Sequence, residues 1–244
     1  MPSKMTHSPP VAILAGGLAT RLRPITEKIP KALVEVAGEP FVLHQLRLLA
    51  RSGVDRVVLC VGHLGELVRD ALGETPVAGQ RVAYAFDGPK LLGTAGALRR
   101  ALPMLGSQFG VLYGDSYLEI DYAGVFRAFE AARAPALMTV FRNEGRWDTS
   151  NTEFSDARVI KYDKRDRTPA MRHIDYGFGV LAAAALEALP ADAPADLADV
   201  YRDLAARGAL AGYEVTTRFY EVGSPAGLEE TRAHLARPTP EGKR

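Results

Sequence analysis

Apolar and polar positions alternate in two different rhythms over the first 140 residues of the chain. Apolar runs of strand length occur at residues 11–15, 56–61, 81–86, 109–113 and 136–141. Stretches with apolar positions at helical spacing lie between these runs, at residues 41–51, 64–72, 94–102 and 122–133. Strands and helices that alternate in this way form right-handed crossover units, so the pattern predicts a largely parallel sheet.

The pattern becomes shorter and less regular after residue 141. Apolar runs separated by turn residues predict antiparallel strands at residues 152–154, 158–162 and 174–181. Further strands are predicted near 213–217 and 218–222, and helices over 182–189, over 197–206 and from Pro225. We therefore predict an α/β fold with a mixed, mostly parallel central sheet, in a single domain over residues 11–236, with a disordered segment at 1–10 and a flexible tail at 237–244.

Composition excludes several classes of function. The chain has 244 residues and a formal net charge of +1, so no global field attracts nucleic acid or a membrane surface. No apolar run approaches the ~20 residues of a membrane span, and residues 1–10 lack the apolar core of a signal peptide. The single cysteine, Cys60, lies in an apolar run and has no partner for an internal disulfide, which suits a reducing compartment. We expect a cytoplasmic protein without nucleic-acid or membrane partners.

The turn after the first strand has the composition of a phosphate-binding site. Gly16 and Gly17 let the backbone approach a ligand, so that main-chain N–H groups can point at its oxygens. Arg21 and Lys31 supply positive charge for the phosphate. The segment lacks the Gly-Lys-Ser/Thr of a Walker loop, and two prolines interrupt the helix that a dinucleotide fingerprint requires.

Two later turns are expected at the same edge of the sheet. Ligands of parallel sheets bind where the carboxyl ends of the strands meet. Residues 87–96 follow one predicted strand and open a helix, whose first N–H groups suit polar or anionic atoms of a ligand. Asp115 follows the next predicted strand and places a carboxylate at the carboxyl edge of the sheet. We predict one crevice lined by the glycine turn and these two segments.

The segment from Gly16 to Pro24, with Pro30 and Lys31 after it, resembles the nucleotide-binding signature of sugar-1-phosphate nucleotidyltransferases. The resemblance extends in order to about residue 236 and is to short bacterial NDP-sugar pyrophosphorylases, similar to heptose- and mannose-1-phosphate guanylyltransferases. It implies a three-layer Rossmann-like nucleotidyltransferase fold. Ala19 stands where the family has glycine, and because alanine resists positive φ, this residue has either an ordinary φ or some strain.

The resemblance also implies a role for each candidate residue. The residues that would bind the nucleotide are Gly16, Gly17, Thr20, Asp87, Gly88, Gly93, Thr94 and Gly96. Arg21 and Lys31 would stabilise charge at the α-phosphate, and Lys164 would hold the sugar phosphate. Asp115 and Glu221 would bind Mg²⁺, with Glu221 standing where the family has aspartate. The residues that would bind the sugar are Asn151, Glu153, Asp163, Lys164 and Asp175.

The reaction implied is attack of a sugar 1-phosphate oxygen on the α-phosphorus of a nucleoside triphosphate, which yields an NDP-sugar and pyrophosphate. The second pKa of a sugar phosphate is about 6, so this nucleophile is ionised at neutral pH and needs no general base. Two alternatives remain open: a cytidylyltransferase for a non-sugar phosphate or phosphonate such as phosphocholine, and a catalytically weak regulatory homologue that binds nucleotide sugars. The base, the sugar and the formation of a homo-oligomer also stay open.

Overall fold

The computed structural model describes residues 8–73 and 77–236. Their α-helices are α1 (Phe41–Arg51), α2 (Gly65–Leu72), α3 (Gly93–Leu105), α4 (Tyr122–Ala132), α5 (Ala184–Glu187), α6 (Leu197–Ala206) and α7 (Pro225–Leu235). Their strands are β1 (Val11–Leu14), β2 (Glu35–Val36), β3 (Glu39–Pro40), β4 (Arg56–Val61), β5 (Arg81–Phe86), β6 (Gln108–Tyr113), β7 (Ser116–Tyr117), β8 (Ala136–Arg142), β9 (Thr152–Ser155), β10 (Arg158–Tyr162), β11 (His173–Ala182), β12 (Leu210–Val215) and β13 (Tyr220–Glu221).

A mixed sheet forms the centre of the fold, with the strand order β5-β4-β1-β6-β11-β8-β12-β10-β9. β5, β4, β1 and β6 are parallel to one another, and β8 is parallel to β12. β11 runs antiparallel between β6 and β8, and β10 runs antiparallel between β12 and β9. The predicted mixed α/β organisation is confirmed, as is the antiparallel pairing expected after residue 141.

Helices cover both faces of the sheet. Val11 and Ile13 face a core formed with α1, α2 and α4, whereas Ala12 between them faces a second core formed with α3, α5 and α6. Val57 and Val58 of β4 divide between the two cores in the same way. Because both faces of these parallel strands are buried, the strands appear in the sequence as unbroken apolar runs.

Two of the predicted elements show how strand pairing changes their bounds in the structure. β12 begins three residues before the predicted strand at 213–217, because Leu210 and Ala211 already pair with β8 and are buried. The helix predicted over 182–189 is reduced to α5, since β11 continues as far as Ala182. In both cases long-range strand pairing decides where the element starts.

The two predicted terminal segments lie largely outside the described residues, which exclude 1–7 and 237–244. Pro9 and Pro10 are described and buried, and the Pro10 carbonyl accepts a hydrogen bond from the Gly110 N–H at 2.9 Å. The disordered segment predicted over 1–10 is therefore too long by these two prolines. Among the described helices, none combines the length and the apolar composition needed to cross a bilayer.

The carboxyl ends of β1 and β6 lie side by side and position the candidate site. Leu14 pairs with Tyr113 in parallel register, and the Gly114 N–H donates to the Leu14 carbonyl at 3.1 Å. This contact brings the turn that follows β1 next to Asp115, which follows β6.

Gly114→Ala is expected to destabilise the fold. A Cβ at Gly114 would overlap the Leu14 carbonyl oxygen and lie 2.9 Å from its carbonyl carbon, and these backbone atoms cannot move without disturbing the β1–β6 pairing. Overpacking of this kind costs about 1–3 kcal/mol, and urea unfolding is expected to show a loss of that size. Gly17→Ala is the matched control, because its Cβ would meet nothing within 4 Å. Equal losses in the two variants would contradict this account.

Candidate active site

The glycine turn after β1 depends on close packing at one residue and on a left-handed conformation at another. A Cβ at Gly16 would lie 2.9 Å from the Gly62 nitrogen, whereas Gly17 is exposed with open space around it. Ala19 has φ 48° and ψ 42°, so the turn keeps a left-handed residue here and alanine bears the strain. Thr26 helps to hold this conformation by donating from Oγ1 to the Ala19 carbonyl at 2.8 Å.

A short 3₁₀ turn, Thr20–Leu22, presents Arg21 to the cleft. Leu22 is buried in a small apolar cluster that includes Val222 and Leu228 from the other end of the chain. Arg21 itself is exposed. The turn is therefore anchored through its apolar residue, and the guanidinium beside that residue remains free to meet a ligand.

A cavity opens between the glycine turn, the end of β4 and the start of α3, and we call it the glycine-loop cavity. Its lining includes the predicted site residues Gly16, Gly17, Lys31, Asp87, Gly93, Thr94 and Asp115, but not Thr20. Leu14, Cys60 and Leu91 supply apolar wall. Burial raises the pKa of the Cys60 thiol to about 12, so this cysteine is a wall residue and not a nucleophile. Apolar walls with a few polar groups are typical of small-molecule sites.

The amino end of α3 is occupied by the protein's own backbone. The N–H groups of Ala95 and Gly96 both donate to the Ala195 carbonyl, at 2.9 and 3.2 Å. A Cβ at Gly96 would lie 2.8 Å from the Ala193 carbonyl oxygen. Glycine at position 96 therefore permits close packing against the segment before α6. Thr94 lines the cavity, although its hydroxyl is paired with the N-cap carboxylate of α6.

Asp87 is a buried carboxylate in the wall of the glycine-loop cavity. Its Oδ2 accepts a hydrogen bond from the Leu92 N–H at 3.1 Å. Burial raises the pKa of Asp87, while the Leu92 N–H and the charge of Arg100 act in the opposite direction. The neighbouring Gly88, also predicted to bind nucleotide, has φ +82°, is not part of the cavity lining and lies near the Arg100 guanidinium. Glycine at position 88 therefore allows the positive φ of this turn.

A second cavity lies beside β11, between the loop that follows β8 and the end of β13, and we call it the β11 cavity. Its lining includes the predicted site residues Arg21, Asp115, Asn151, Lys164, Asp175 and Glu221. Charged groups of both signs are concentrated in it, since Arg167 and Asp148 also belong to the lining. Such a site suits a ligand that carries both negative charge and hydroxyl groups.

Asp115 lies where the two cavities meet, because both Asp115 and Tyr113 line each of them. The Asp115 Oδ2 accepts a hydrogen bond from Lys31 Nζ at 2.9 Å, and both side chains remain partly exposed. The Asp115 carbonyl also accepts from the Val222 N–H at 2.8 Å. This junction therefore joins β6, the glycine-turn segment and the strand before α7.

Asp175 is held by two tyrosines beneath Lys164. Its Oδ2 accepts hydrogen bonds from Tyr113 Oη at 3.2 Å and Tyr162 Oη at 3.4 Å, and its Oδ1 accepts from the Gly177 N–H at 3.2 Å. Lys164 Nζ lies 5.8 and 5.9 Å from the centroids of the same two rings. Burial raises the pKa of Asp175, and the Lys164 charge opposes that rise. The carboxylate thus faces hydroxyl donors and one cation.

Two residues predicted to bind the sugar lie outside the lining of both cavities. Asp163 Oδ1 accepts from the N–H groups of Asp166 and Arg165, at 2.9 and 2.7 Å, and these bonds lower the pKa of Asp163. Its carboxylate therefore stabilises the turn after β10. Glu153 lies in β9, where it pairs in register with Lys161 of β10. Both acids therefore have contacts within β9, β10 and the turn that follows, and the structure does not bring them together with the other predicted sugar-binding residues.

Glu221 ends β13, and its carboxylate is bound to the amino end of α7. Oε1 accepts from the Ser224 hydroxyl at 2.6 Å, and Oε2 accepts from the Gly223 N–H. The Cβ that Gly223 lacks would lie 3.1 Å from both Arg21 Nη2 and Asp115 Oδ2 and would overlap the Glu221 carboxylate. Three charged side chains therefore converge over Gly223.

The oxygen donors at this point suit a hard divalent cation. Asp115 and Glu221 both line the β11 cavity, and carboxylates are ligands that Mg²⁺ prefers. Within residues 8–73 and 77–236, no group of three or more His, Cys, Asp or Glu side chains forms a protein-only metal cage. Protein-bound Mg²⁺ usually has one or two carboxylates and completes its shell with water and phosphate, so the residues present fit it.

The sequence prediction omitted Tyr113, Trp147 and Arg167, which also line the β11 cavity. Tyr113 ends an apolar strand directly before Gly114, and this position at the carboxyl end of a strand could have identified it as a cavity residue. Trp147 belongs to a polar loop, where a large exposed aromatic side chain is unusual. Arg167 lies in a run of charged residues that resembles an ordinary solvated surface.

The comparisons with known proteins agree on one family. The family model described as nucleotidyl transferase matches residues 11–154. The N-acetylmuramate alpha-1-phosphate uridylyltransferase of Neisseria meningitidis is 29% identical over 226 residues, which cover 91% of this chain and 96% of that protein. The mannose-1-phosphate guanyltransferase beta-B of Xenopus laevis is 24% identical over 219 residues, 87% of this chain and 61% of that protein.

The fold is shared with solved structures. A putative glucose-1-phosphate thymidylyltransferase from Bacillus anthracis has a TM-score of 0.81 at 22% sequence identity. The match covers 96% of this chain and 97% of that one.

Asp175→Asn is expected to stabilise the protein in a pH-dependent way. Because burial raises the folded-state pKa of Asp175, the fold favours its protonated form, and that contribution is lost as pH rises through the raised pKa. Asparagine keeps the shape without ionising, so the variant is expected to unfold at higher urea concentration than the wild type at pH 8. The advantage is expected to disappear below about pH 4, where an unfolded aspartate is also protonated. The exposed Asp203→Asn serves as the control, and a pH-independent gain would contradict the prediction.

Proposed function

We propose that this chain, which belongs to the nucleotidyl transferase family, transfers the nucleotidyl group of a nucleoside triphosphate to a sugar 1-phosphate and releases pyrophosphate. The named relatives act on sugar 1-phosphates but differ in the nucleotide, since one is a uridylyltransferase and the other a guanyltransferase. We therefore assign a sugar 1-phosphate as the acceptor, and the nucleotide base is to be identified by experiment.

The observation that carries the proposal is the meeting of the two cavities at Tyr113 and Asp115. The glycine-loop cavity suits the nucleotide, because it combines the exposed backbone of Gly17 with apolar walls. The β11 cavity suits a phosphorylated sugar, because it combines Lys164 and Arg21 with the acceptor groups of Asn151 and Asp175. An α-phosphate held at the junction would be open to attack from the second cavity.

In this reaction the protein mainly neutralises the negative charge of the two phosphate groups. The acceptor phosphate is largely dianionic at neutral pH, so it attacks without a general base. Two anions must nevertheless approach in line, and fixed positive groups that meet the charge lower this barrier. Arg21 reaches the junction from the glycine-turn side, and Lys164 lies in the β11 cavity beneath the incoming phosphate. Lys31, paired with Asp115, adds a third cation.

Mg²⁺ is the metal we assign to this site, with Asp115 and Glu221 as its protein ligands. When bound, it neutralises charge on the phosphates and helps to align them. The Glu221 carboxylate is oriented by the Ser224 hydroxyl and the Gly223 N–H, while Asp115 is oriented by Lys31. Both ligands are therefore held in place by groups of the chain itself.

The same proposal includes the finer description of the architecture. Helices on both faces of the mixed sheet support a three-layer Rossmann-like arrangement. A single domain over residues 11–236 and a cytoplasmic site of action stay predictions, as do the absence of nucleic-acid partners and the formation of a homo-oligomer.

A cationic acceptor such as phosphocholine is the second candidate. Aromatic side chains and Asp175 in the β11 cavity are features that also suit a quaternary ammonium group. Two of these aromatic rings already have cations of the protein nearby, since Lys164 lies near Tyr113 and Arg218 lies over Trp147. The sugar is therefore preferred.

Pyrophosphate release from a matrix of ATP, CTP, GTP, UTP and dTTP against glucose, mannose and N-acetylmuramate 1-phosphates tests the function. Release with at least one sugar 1-phosphate, and none with phosphocholine, is expected. Arg21→Ala and Asp115→Ala are each expected to lower kcat by about 100-fold or more, because each removes a preorganised charge at the reacting phosphates. The exposed Asp203→Ala is the control. Near-normal turnover in either variant would overturn the assignment.

Metal affinity provides a separate test of the two carboxylates. Mn²⁺ is a paramagnetic substitute for Mg²⁺, and its binding with nucleotide present can be followed by electron paramagnetic resonance. Asp115→Asn and Glu221→Gln are each expected to weaken binding at least ~10-fold, because loss even of an outer-shell partner typically costs that much. Glu153→Gln, outside both cavities, is expected to bind Mn²⁺ as the wild type does. Unchanged affinity in Asp115→Asn would exclude the site.

A further inference from the structure

The one tryptophan of the chain lies at the rim of the β11 cavity without a role in the chemistry described above. Trp147 is 44% exposed, which is unusual for so large an apolar side chain. The Arg218 guanidinium lies over its ring, with the carbon Cζ 3.9 Å from the ring centroid. The indole therefore has a cation over one face and also borders the cavity.

The backbone of Trp147 is fixed by a buried asparagine. Asn143 is fully buried, and its Oδ1 accepts hydrogen bonds from the N–H groups of Trp147 and Asp148, at 3.0 and 3.4 Å. Its Nδ2 donates to the Asp148 carbonyl. One side chain therefore ties the loop that carries Trp147 back onto itself. Such a loop presents its aromatic ring at a defined place.

Arg218 is fixed independently, from the other end of the chain. Its guanidinium forms an ion pair with Glu230 of α7. The same guanidinium lies 5.0 Å from the centroid of the Tyr220 ring, and that ring stacks on His234 at 3.8 Å. Trp147 is thus backed by a stack of side chains that ends on α7.

We propose that Trp147 is the stacking platform for the sugar ring of the acceptor, with Arg218 as the positioning residue behind it. The inference rests on the proposed function and extends it to a residue that recognises the sugar. The face of an aromatic ring is electron-rich, and the C–H groups of a pyranose face carry a weak positive charge, so the two surfaces match. A guanidinium stacked on the opposite face holds the ring in position.

The position of Trp147 in the cavity favours a sugar over the other ligands. Lys164 and Arg21 line the same cavity and suit the phosphate, so a ring attached to that phosphate would extend along the remaining wall. Trp147 is part of that wall but does not line the glycine-loop cavity, which argues against stacking on the nucleotide base. A small inorganic phosphate would reach the cations without covering the indole.

Intrinsic fluorescence gives a direct readout, because Trp147 is the one tryptophan of the sequence. Emission is recorded while glucose, mannose and N-acetylmuramate 1-phosphates are added, with inorganic phosphate and phosphocholine as comparison ligands. A saturable change is expected with the sugar 1-phosphate that supports pyrophosphate release, and none with inorganic phosphate. The half-saturation point is expected to agree with the KM of that acceptor to within a few-fold.

Variants separate a platform from a merely structural residue. Trp147→Ala is expected to raise the KM for the sugar 1-phosphate on the order of 10-fold, as loss of an aromatic stacking surface does. Trp147→Phe keeps a ring and is expected to restore most of the affinity. Arg218→Gln is expected to raise KM about 3-fold, the size of an exposed cation–π contact. The KM for the nucleotide is expected to stay unchanged in all three.

Arg146→Gln is the matched control, since Arg146 precedes Trp147, pairs with Glu144 and does not line the cavity. One result would overturn the platform and leave the proposed function intact. It is a sugar 1-phosphate that supports pyrophosphate release but, at saturating concentration, does not change the emission of the wild-type protein. An emission change with phosphocholine alone, or an unchanged KM in a folded Trp147→Ala, would overturn it as well. If no sugar 1-phosphate supports pyrophosphate release, both the function and the platform are wrong.

Discussion

The parallel pairing of β1 with β6 is the constraint on which the site depends. Hydrogen bonds along this pair fix Leu14 opposite Tyr113, and the turn after β1 then lies beside Asp115. In this arrangement the glycine turn and the strand-end carboxylate line the same cavity. Gly114 is a consequence of this pairing, because a Cβ there would overlap the Leu14 carbonyl oxygen, whereas Gly16 is crowded from the other side by Gly62, which follows β4.

The charged groups at the junction neutralise one another in the protein alone. Lys31 is paired with Asp115, and the Glu221 carboxylate accepts hydrogen bonds from the Ser224 hydroxyl and the Gly223 N–H at the amino end of α7. Arg21 Nη2 and the carboxylates of Asp115 and Glu221 all lie close to Gly223. A phosphate that enters this centre exchanges partners with groups already oriented toward it. Little reorganisation is then needed at the moment of reaction, which is the condition under which fixed charges are most effective.

The sequence predicted local features well and long-range ones poorly. Apolar runs identified the buried strands, and the glycine turn, Lys31 and Asp115 were recognisable because their neighbours in sequence are also their neighbours in space. The packing of Gly96 could not be predicted locally, because the carbonyl that accepts from its N–H belongs to Ala195, about 100 positions away. The Asp163 carboxylate accepts from the N–H groups of the turn that follows it, a local contact that its acidic character did not reveal. The sequence around Trp147 does not indicate a role for it, because its contact with Arg218 forms only in the folded chain.

Helix α7 joins the site from a distant part of the sequence. Arg21 and Glu221 are about 200 positions apart, yet both lie against Gly223. A ribosome that adds about 5–20 residues per second needs on the order of 10–40 s to pass from one to the other. For that interval a growing chain carries the glycine turn without Glu221 and without the arginine that backs Trp147. The contacts over Gly223 therefore cannot form before almost the whole chain has been synthesised, and this junction is among the last parts of the fold to be completed.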